Sequence, residues 1–130
     1  MTTEQFVETM DSGALIVANS PVHEVMHRLS QEAIRITLEI NNSYHTQDEI
    51  ISLMSELTGR KVDESFRLFP PFYTDCGKNI RIGKRVFFNS GCKFQDQGGI
   101  VIGDDVLVGQ NCVIATLNHA EDPDHRADMI

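Results

Sequence analysis

The second half of the sequence repeats an apolar residue every six positions. The members of this six-residue ladder are Cys76, Ile82, Phe88, Phe94, Ile102, Val108 and Ile114, with one step of eight before Ile102. A glycine follows four of the seven, at Gly77, Gly83, Gly103 and Gly109. An α-helix repeats at about 3.6 residues and a strand at two, so neither explains a period of six. A short strand followed by a tight turn does repeat at six, and the ladder therefore predicts a parallel β-helix.

The length of the ladder predicts how many coils the β-helix has. Three six-residue units make one triangular coil, which gives one coil over residues 76–93 and a second over 94–119, with a two-residue bulge near 96–99. Repeat folds need about three units to bury a continuous core. The repeat region is therefore expected to be truncated, with fewer coils than a stable β-helix needs. Copies of the chain are expected to associate with one another.

The first 65 residues follow a helical pattern instead. Ser20 is a predicted N-cap for a helix that runs from Pro21 to about Ile40, and a shorter helix is predicted around Glu4–Met10. Thr46 and Glu49 form a capping box that opens a further helix, which Gly59 ends. The sequence thus predicts a helical cap over residues 1–65 and a hexapeptide-repeat β-helix over 66–130. These short helices need an apolar surface, and the open end of a β-helix provides one.

The composition excludes several classes of partner. The 130 residues carry 19 acidic and 11 basic side chains, a net charge of −8, without a dense run of Lys or Arg. Nucleic acid and anionic membranes are therefore not expected as partners. The sequence shows no signal peptide and no apolar stretch near 18 residues, which predicts a cytoplasmic protein. Its three cysteines, Cys76, Cys92 and Cys112, occupy apolar positions and lack the spacing of a metal site, so we interpret them as core packing.

Four stretches of the chain resemble motifs of the maltose and galactoside O-acetyltransferases. They are PPFYTDCGKNIRIG at 70–83, FNSGC at 88–92, IGDDVLVG at 102–109 and NHAEDPDHR at 118–126. The resemblance implies a left-handed parallel β-helix behind a helical cap, assembled as a homotrimer. It also implies transfer of an acetyl group from acetyl-CoA to a sugar hydroxyl, in sites between subunits. Relatives continue with further coils beyond the position of Ile130, so the resemblance also implies a truncated repeat domain.

The same resemblance assigns roles to five residues. His119 is the expected general base, because an imidazole with a pKa near 6.5 can accept the proton of an attacking hydroxyl. Asn89 aligns with a family asparagine that contacts the reacting groups. Asp75, Asp96 and Gln97 fall where the family binds its acceptor, although Gln97 replaces an acid there.

Two other interpretations remain open from the sequence. One is a shortened β-helix that assembles or binds without catalysis, because the repeats are few. The other is a metal enzyme like the related β-helical carbonic anhydrases, with His119, Asp122, Asp124 and His125 as ligands, although their spacing fits no zinc signature. The residues do not reveal which hydroxyl compound would be the acceptor.

Overall fold

A computed structural model describes all 130 residues as three N-terminal helices packed against a coil of short parallel strands. The helices are α1 (Thr3–Asp11), α2 (Pro21–Asn42) and α3 (Gln47–Thr58). The strands are β1 (Arg67–Leu68), β2 (Phe72–Thr74), β3 (Ile80–Ile82), β4 (Phe87–Phe88), β5 (Cys92–Gln95), β6 (Ile100–Ile102), β7 (Leu107–Val108) and β8 (Val113–Ala115). A short 3₁₀ turn, Pro123–His125, follows them.

The strands form the three walls of a prism. Sheet 1 contains β1, β4 and β7, sheet 2 contains β2, β5 and β8, and sheet 3 contains β3 and β6. All neighbouring strands are parallel, and consecutive strands along the chain lie in consecutive sheets. The chain therefore winds as a parallel β-helix, as the six-residue ladder predicts.

The register of the first coil differs from the predicted one. Phe94 pairs with Thr74, so Thr74 and not Cys76 is the inward residue one coil below. The eight-residue step consequently occurs twice, from Thr74 to Ile82 and again from Phe94 to Ile102. The first coil contains β1 to β3, the second contains β4 to β6, and β7 and β8 start a third. The predicted coils over 76–93 and 94–119 are therefore wrong in register.

Cys76 lies in the loop after β2, where it packs with the apolar side of α1 and α2. It is 2% exposed, and burial together with the negative charge of Asp96 raises the pKa of its thiol to about 12. Cys92 is also fully buried, and all three cysteines are free. The interpretation of Cys76 and Cys92 as packing residues is therefore confirmed, although Cys76 packs outside the prism.

Aromatic side chains fill the end of the prism next to the helices. Phe66, Phe72, Phe88 and Phe94 are at most 2% exposed, and their neighbouring ring centroids lie 5.1 to 5.6 Å apart. Rings at these separations gain attraction beyond the area that they bury. The β-helix is thus closed at its helical end by a packed aromatic core.

The helices cover the free strand edge of the first coil with side-chain hydrogen bonds. The Asn41 side chain accepts from the Phe72 backbone N–H at 2.8 Å and donates to the Phe72 carbonyl at 2.9 Å, as a neighbouring strand would. Arg60 donates to the carbonyls of Lys78 and Ile80 at the edge of β3. The cap therefore satisfies backbone groups that an open edge leaves unpaired.

The helix boundaries follow the predicted signals. The Ser20 side chain caps α2, and Thr46 and Glu49 form the capping box of α3. Gly59 ends α3 in the left-handed conformation at φ 69°. None of these helices combines the length and the apolar character that crossing a membrane would require.

Candidate active site

Most of the predicted site residues lie at one end of sheet 2. Asp75 directly follows β2, Gln97 follows β5 by two residues, and His119 follows β8 by four. Asn89 lies between β4 and β5, at the opposite end of the same sheet. A four-residue strand such as β5 spans roughly 13 Å. Asn89 is therefore separated from the other predicted residues by the full width of this sheet.

The environment of His119 fixes which ring nitrogen carries a proton. Its Nδ1 lies 2.8 Å from the backbone carbonyl oxygen of Arg126. A carbonyl oxygen can only accept, so Nδ1 donates and the neutral ring has an unprotonated Nε2. The side chain is exposed to solvent. The arrangement leaves Nε2 able to accept a proton from an incoming hydroxyl.

Side chains of sheet 2 hold the backbone that leads to His119. The Gln95 side-chain oxygen accepts from the Leu117 N–H at 3.1 Å, and the Thr116 hydroxyl donates to the Gln95 carbonyl at 2.6 Å. Gly98 in turn donates its N–H to the Thr116 hydroxyl at 2.9 Å. The exit from β8 is thereby tied to the coil beneath it.

The last three residues form a second support, which we call the closing segment (residues 128–130). Met129 exchanges two backbone hydrogen bonds with Ile16, at 2.7 and 2.9 Å. On its other side the closing segment pairs with the chain around His119, through mutual bonds between Asn118 and Ile130. The loop before α2 therefore lies close to the His119 loop, and no sequence motif predicts this proximity.

The structure gives Asp96 a role other than the predicted acceptor binding. Its side chain is completely buried. One carboxylate oxygen accepts from the Thr74 hydroxyl at 2.7 Å and from the N–H groups of Cys76 and Gly77 at 2.9 Å. The other accepts from the Asn79 N–H at 3.2 Å. These bonds occupy the carboxylate and fold the loop after β2, so it is a structural group and not a ligand contact.

Asp75 and Gln97 are neighbours at the predicted acceptor side. Burial and the charge of Asp96 raise the pKa of the Asp75 carboxyl, while a hydrogen bond from Gln97 opposes that rise. Gln97 is 5% exposed, and its side-chain oxygen has no hydrogen-bond partner. Asp75 also borders a cavity of about 190 Å³ on the outer face of sheet 2, where the Lys93 ammonium lies 5.5 Å from the Tyr73 ring centroid. An aromatic ring beside a carboxylate is a suitable surface for a hydroxylated ligand.

Asn89 occupies a corner between sheets 1 and 2. Its backbone N–H donates to the Val108 carbonyl at 2.9 Å, and its side-chain oxygen accepts from the Ser90 N–H at 2.8 Å. The side-chain NH₂ makes no hydrogen bond within the chain, which leaves two N–H donors for another molecule.

The acidic loop after His119 folds as a turn. The Asp122 carboxylate accepts from the Asp124 N–H at 3.0 Å, and His125 lies 3.6 Å from Asp128. Nδ1 of His119 faces the Arg126 carbonyl and not these carboxylates. The structure contains no group of three or more His, Cys, Asp or Glu side chains arranged to hold a metal ion.

Sequence comparison relates this chain to acetyltransferases. It is 42% identical over 57 residues to nodulation protein L of Rhizobium leguminosarum bv. viciae, covering 44% of this chain and 30% of that protein. It is 30% identical over 82 residues to the galactoside O-acetyltransferase of Escherichia coli, covering 62% and 40% of the two chains. The chain spans between 26% and 40% of the length of the curated relatives that it matches. No protein-family model matches it.

Solved structures match over nearly the whole chain. A hexapeptide-repeat acetyltransferase from Vibrio cholerae is 33% identical with a TM-score of 0.75, covering 92% of this chain and 62% of that one. A maltose O-acetyltransferase from Clostridium difficile is 26% identical with a TM-score of 0.82, covering 95% and 65%. The predicted resemblance and the left-handed parallel β-helix are both confirmed. In sequence and fold the chain is related to the hexapeptide-repeat acetyltransferases, among them the galactoside and maltose O-acetyltransferases.

Proposed function

We propose that this protein transfers an acetyl group from acetyl-CoA to a hydroxyl group of a sugar, with His119 as the general base. The observation that carries the proposal is the hydrogen bond from Nδ1 of His119 to the Arg126 carbonyl, which leaves Nε2 unprotonated. Acetyl-CoA is proposed as the donor because the related Vibrio cholerae acetyltransferase was solved in complex with it; that structure is 30% identical with a TM-score of 0.69. A sugar acceptor is proposed from the galactoside and maltose acetyltransferases among the relatives.

In the proposed reaction, Nε2 of His119 removes the proton from the acceptor hydroxyl as its oxygen bonds to the acetyl carbonyl carbon. The carbon–sulfur bond of the thioester breaks, and the proton passes from the imidazolium to the departing thiolate. The Arg126 carbonyl stabilises the imidazolium, because the Nδ1–H that it accepts carries part of the positive charge. Asp75 and Gln97 lie at the same end of sheet 2, and we propose that they bind the acceptor.

We further propose that the site forms between copies of the chain in a homotrimer. Asn89 and His119 lie at opposite ends of sheet 2, so one small acceptor cannot touch both within a single chain. A second observation supports assembly. Phe69 and Leu107, 59% and 76% exposed, lie on the outer side of sheet 1 with Phe87, which is two residues before Asn89. Such an apolar surface is suited to a second copy, which would bring its His119 towards Asn89.

Acetyl transfer to a panel of sugars, followed by release of free thiol, tests the reaction. Replacing His119 by Ala should lower kcat/KM by about 10² to 10⁴, the usual contribution of a general base. His125→Ala is the matched control, since this histidine is exposed in the same loop and its nearest partner is 3.6 Å away. Equal activity of the His119→Ala variant and the wild type would contradict the proposal.

Mixing two inactive variants tests where the site forms. Chains carrying Asn89→Ala and chains carrying His119→Ala are unfolded together and refolded in equal amounts. If each site takes Asn89 from one copy and His119 from another, about one quarter of the sites recover both residues. A mixture with no activity above the two separate variants would show that both residues act within one chain. The oligomeric state itself is measured by sedimentation equilibrium.

A cytoplasmic location stays a prediction, with which the three free cysteines are compatible.

A further inference from the structure

Asp128 joins three parts of the chain that lie far apart in sequence. Its carboxylate accepts a hydrogen bond from the Ala18 N–H at 2.9 Å, 110 residues away. Its backbone carbonyl accepts from the Ala120 N–H at 2.9 Å, next to His119, and its backbone N–H donates to the His125 carbonyl at 2.9 Å. The side chain is 14% exposed, so these bonds are largely shielded from water.

The bond between Asp128 and Ala18 connects two segments that backbone pairing alone aligns weakly. The loop before α2 contacts the closing segment through the Ile16 and Met129 pair, which is a single isolated bridge. The carboxylate adds a charge-assisted bond from Asp128, one residue before Met129, to Ala18, two residues after Ile16. The loop before α2 is itself fixed, because the Asn19 N–H donates to the His23 side chain at 3.0 Å at the start of α2. Asp128 therefore attaches the closing segment to the rigid helical cap.

The closing segment is joined to the chain on both sides of the contact between His119 and the Arg126 carbonyl. Arg126, whose carbonyl accepts from Nδ1 of His119, lies two residues before Asp128. The Ala120 N–H, directly after His119, donates to the Asp128 carbonyl. If the closing segment moves away from the cap, the Arg126 carbonyl moves with it and Nδ1 loses its acceptor. The ring would then be free to rotate and to populate the tautomer with a proton on Nε2, in which Nε2 cannot accept a proton from the acceptor hydroxyl.

We propose that Asp128 is a positioning residue that keeps His119 in the tautomer with a bare Nε2, by tying the closing segment to the loop before α2. The catalytic consequence rests on the proposed function, whereas the effect on the ring does not. A displacement of about 1 Å in such a support lowers rates by up to about a hundredfold. Loss of the carboxylate should therefore lower kcat while the KM for the acetyl donor changes little.

Three variants separate the positioning role from a general loss of structure. Asp128→Ala removes the acceptor for Ala18. Asp128→Asn keeps a side-chain oxygen there, as a neutral and weaker acceptor, and removes the charge near His125, which is 64% exposed. Asp124→Ala is the matched control, because that exposed carboxylate makes no hydrogen bond within the chain. Circular dichroism melts establish that each variant is folded at the temperature of measurement.

The decisive readout is the ¹⁵N spectrum of the histidine rings, assigned with a His119→Gln sample. Wild type, Asp128→Asn and Asp124→Ala should show a protonated Nδ1 and an unprotonated Nε2 for the neutral His119 ring. The Asp128→Ala variant should show a mixture of tautomers, faster exchange of the Ala18 amide, and a kcat lowered about tenfold to a hundredfold.

Two results would overturn the inference, and neither depends on turnover. In one, Asp128→Ala keeps the wild-type ring spectrum; in the other, Asp128→Asn is as strongly affected as Asp128→Ala. If Asp128→Ala does not fold, an Asp128→Asn variant whose Ala18 amide exchanges as slowly as the wild type supports the proposal, and one with fast exchange contradicts it. If the wild type transfers no acetyl group but the tautomer responds to Asp128→Ala, the proposed function fails while the positioning role stands.

Discussion

Replacing Asp96 by Asn should strongly destabilise the fold, although the two side chains have nearly the same shape. The Asp96 carboxylate accepts four hydrogen bonds in a site with no exposure to solvent. An Asn side chain keeps one oxygen for Thr74, Cys76 and Gly77. Its NH₂ group then faces the Asn79 N–H across 3.2 Å, so two donors oppose each other.

The size of this effect follows from the bonds that change. One charge-assisted hydrogen bond, worth roughly 1.5–3 kcal/mol, is lost, and a buried N–H is left unpaired. The three remaining bonds become bonds to a neutral acceptor and weaken. We expect a loss of about 3 kcal/mol in the free energy of unfolding, a large part of the 5–15 kcal/mol that is typical of a domain.

Urea unfolding followed by circular dichroism measures the loss. With an m-value of about 1.5–2 kcal/mol/M, the midpoint should fall by about 1.5–2 M. Asp105→Asn is the control, because that aspartate forms a surface ion pair with Arg85 in which both side chains are more than half exposed. A surface pair contributes about 0–1 kcal/mol, so the control midpoint should barely move. An unchanged midpoint in the Asp96→Asn variant, together with a raised KM for the acceptor, would refute the structural role of Asp96. It would instead support the sequence-based prediction that Asp96 binds the acceptor.

Three further substitutions test the cap and the turns. Asn41→Ala removes both side-chain bonds to the free edge of β2 and should lower the free energy of unfolding by about 2–3 kcal/mol, measured in urea; a loss below about 0.5 kcal/mol would argue against edge capping. The hydrogen bond to the Glu39 carbonyl raises the pKa of His45 above 6.5, so its stabilising effect is complete at lower pH and disappears as the pH rises through the raised pKa. His45→Gln should therefore flatten the fall in stability above pH 6.5 in melts from pH 5.5 to 8.5, and an unchanged pH profile would contradict this. Gly77→Ala places a methyl group 2.7 Å from the Leu57 side chain at a φ of +82°, and melts should show a loss of roughly 2 kcal/mol or more; wild-type stability would rule out this close approach.

The proposed site depends on supports from three regions. Sheet 2 holds the exit from β8 through Gln95, the helical cap contributes the loop before α2, and the closing segment contributes Asp128 and the Arg126 carbonyl. His119 itself projects into solvent. A reactive side chain carried on a loop but fixed by a rigid scaffold combines access with defined geometry.

Local patterns were sufficient to predict most of the fold. A period of six excludes helix and simple strand, and the caps at Ser20 and Thr46 depend on residues within one helical turn. The motif around His119 likewise lies within a few consecutive residues. Such features are visible in sequence because the interacting groups are neighbours along the chain.

The register of the first coil and the role of Asp96 could not be predicted in this way. Cys76 and Thr74 are both acceptable inward residues, and the pairing of β2 with β5 decides between them. Asp96 resembles an exposed loop acid until its donors, 17 to 22 residues away, are brought around it.

The sequence by itself determined a β-helix with a helical cap and the position of one histidine on the chain, because periodicity and capping are local. Only the tertiary structure decided which ring nitrogen of His119 is unprotonated, which carboxylate is buried and which residues lie at the same end of sheet 2. Those properties depend on hydrogen bonds between residues up to 110 positions apart, and only the coiling of the chain together with the packing of the helical cap brings such residues together.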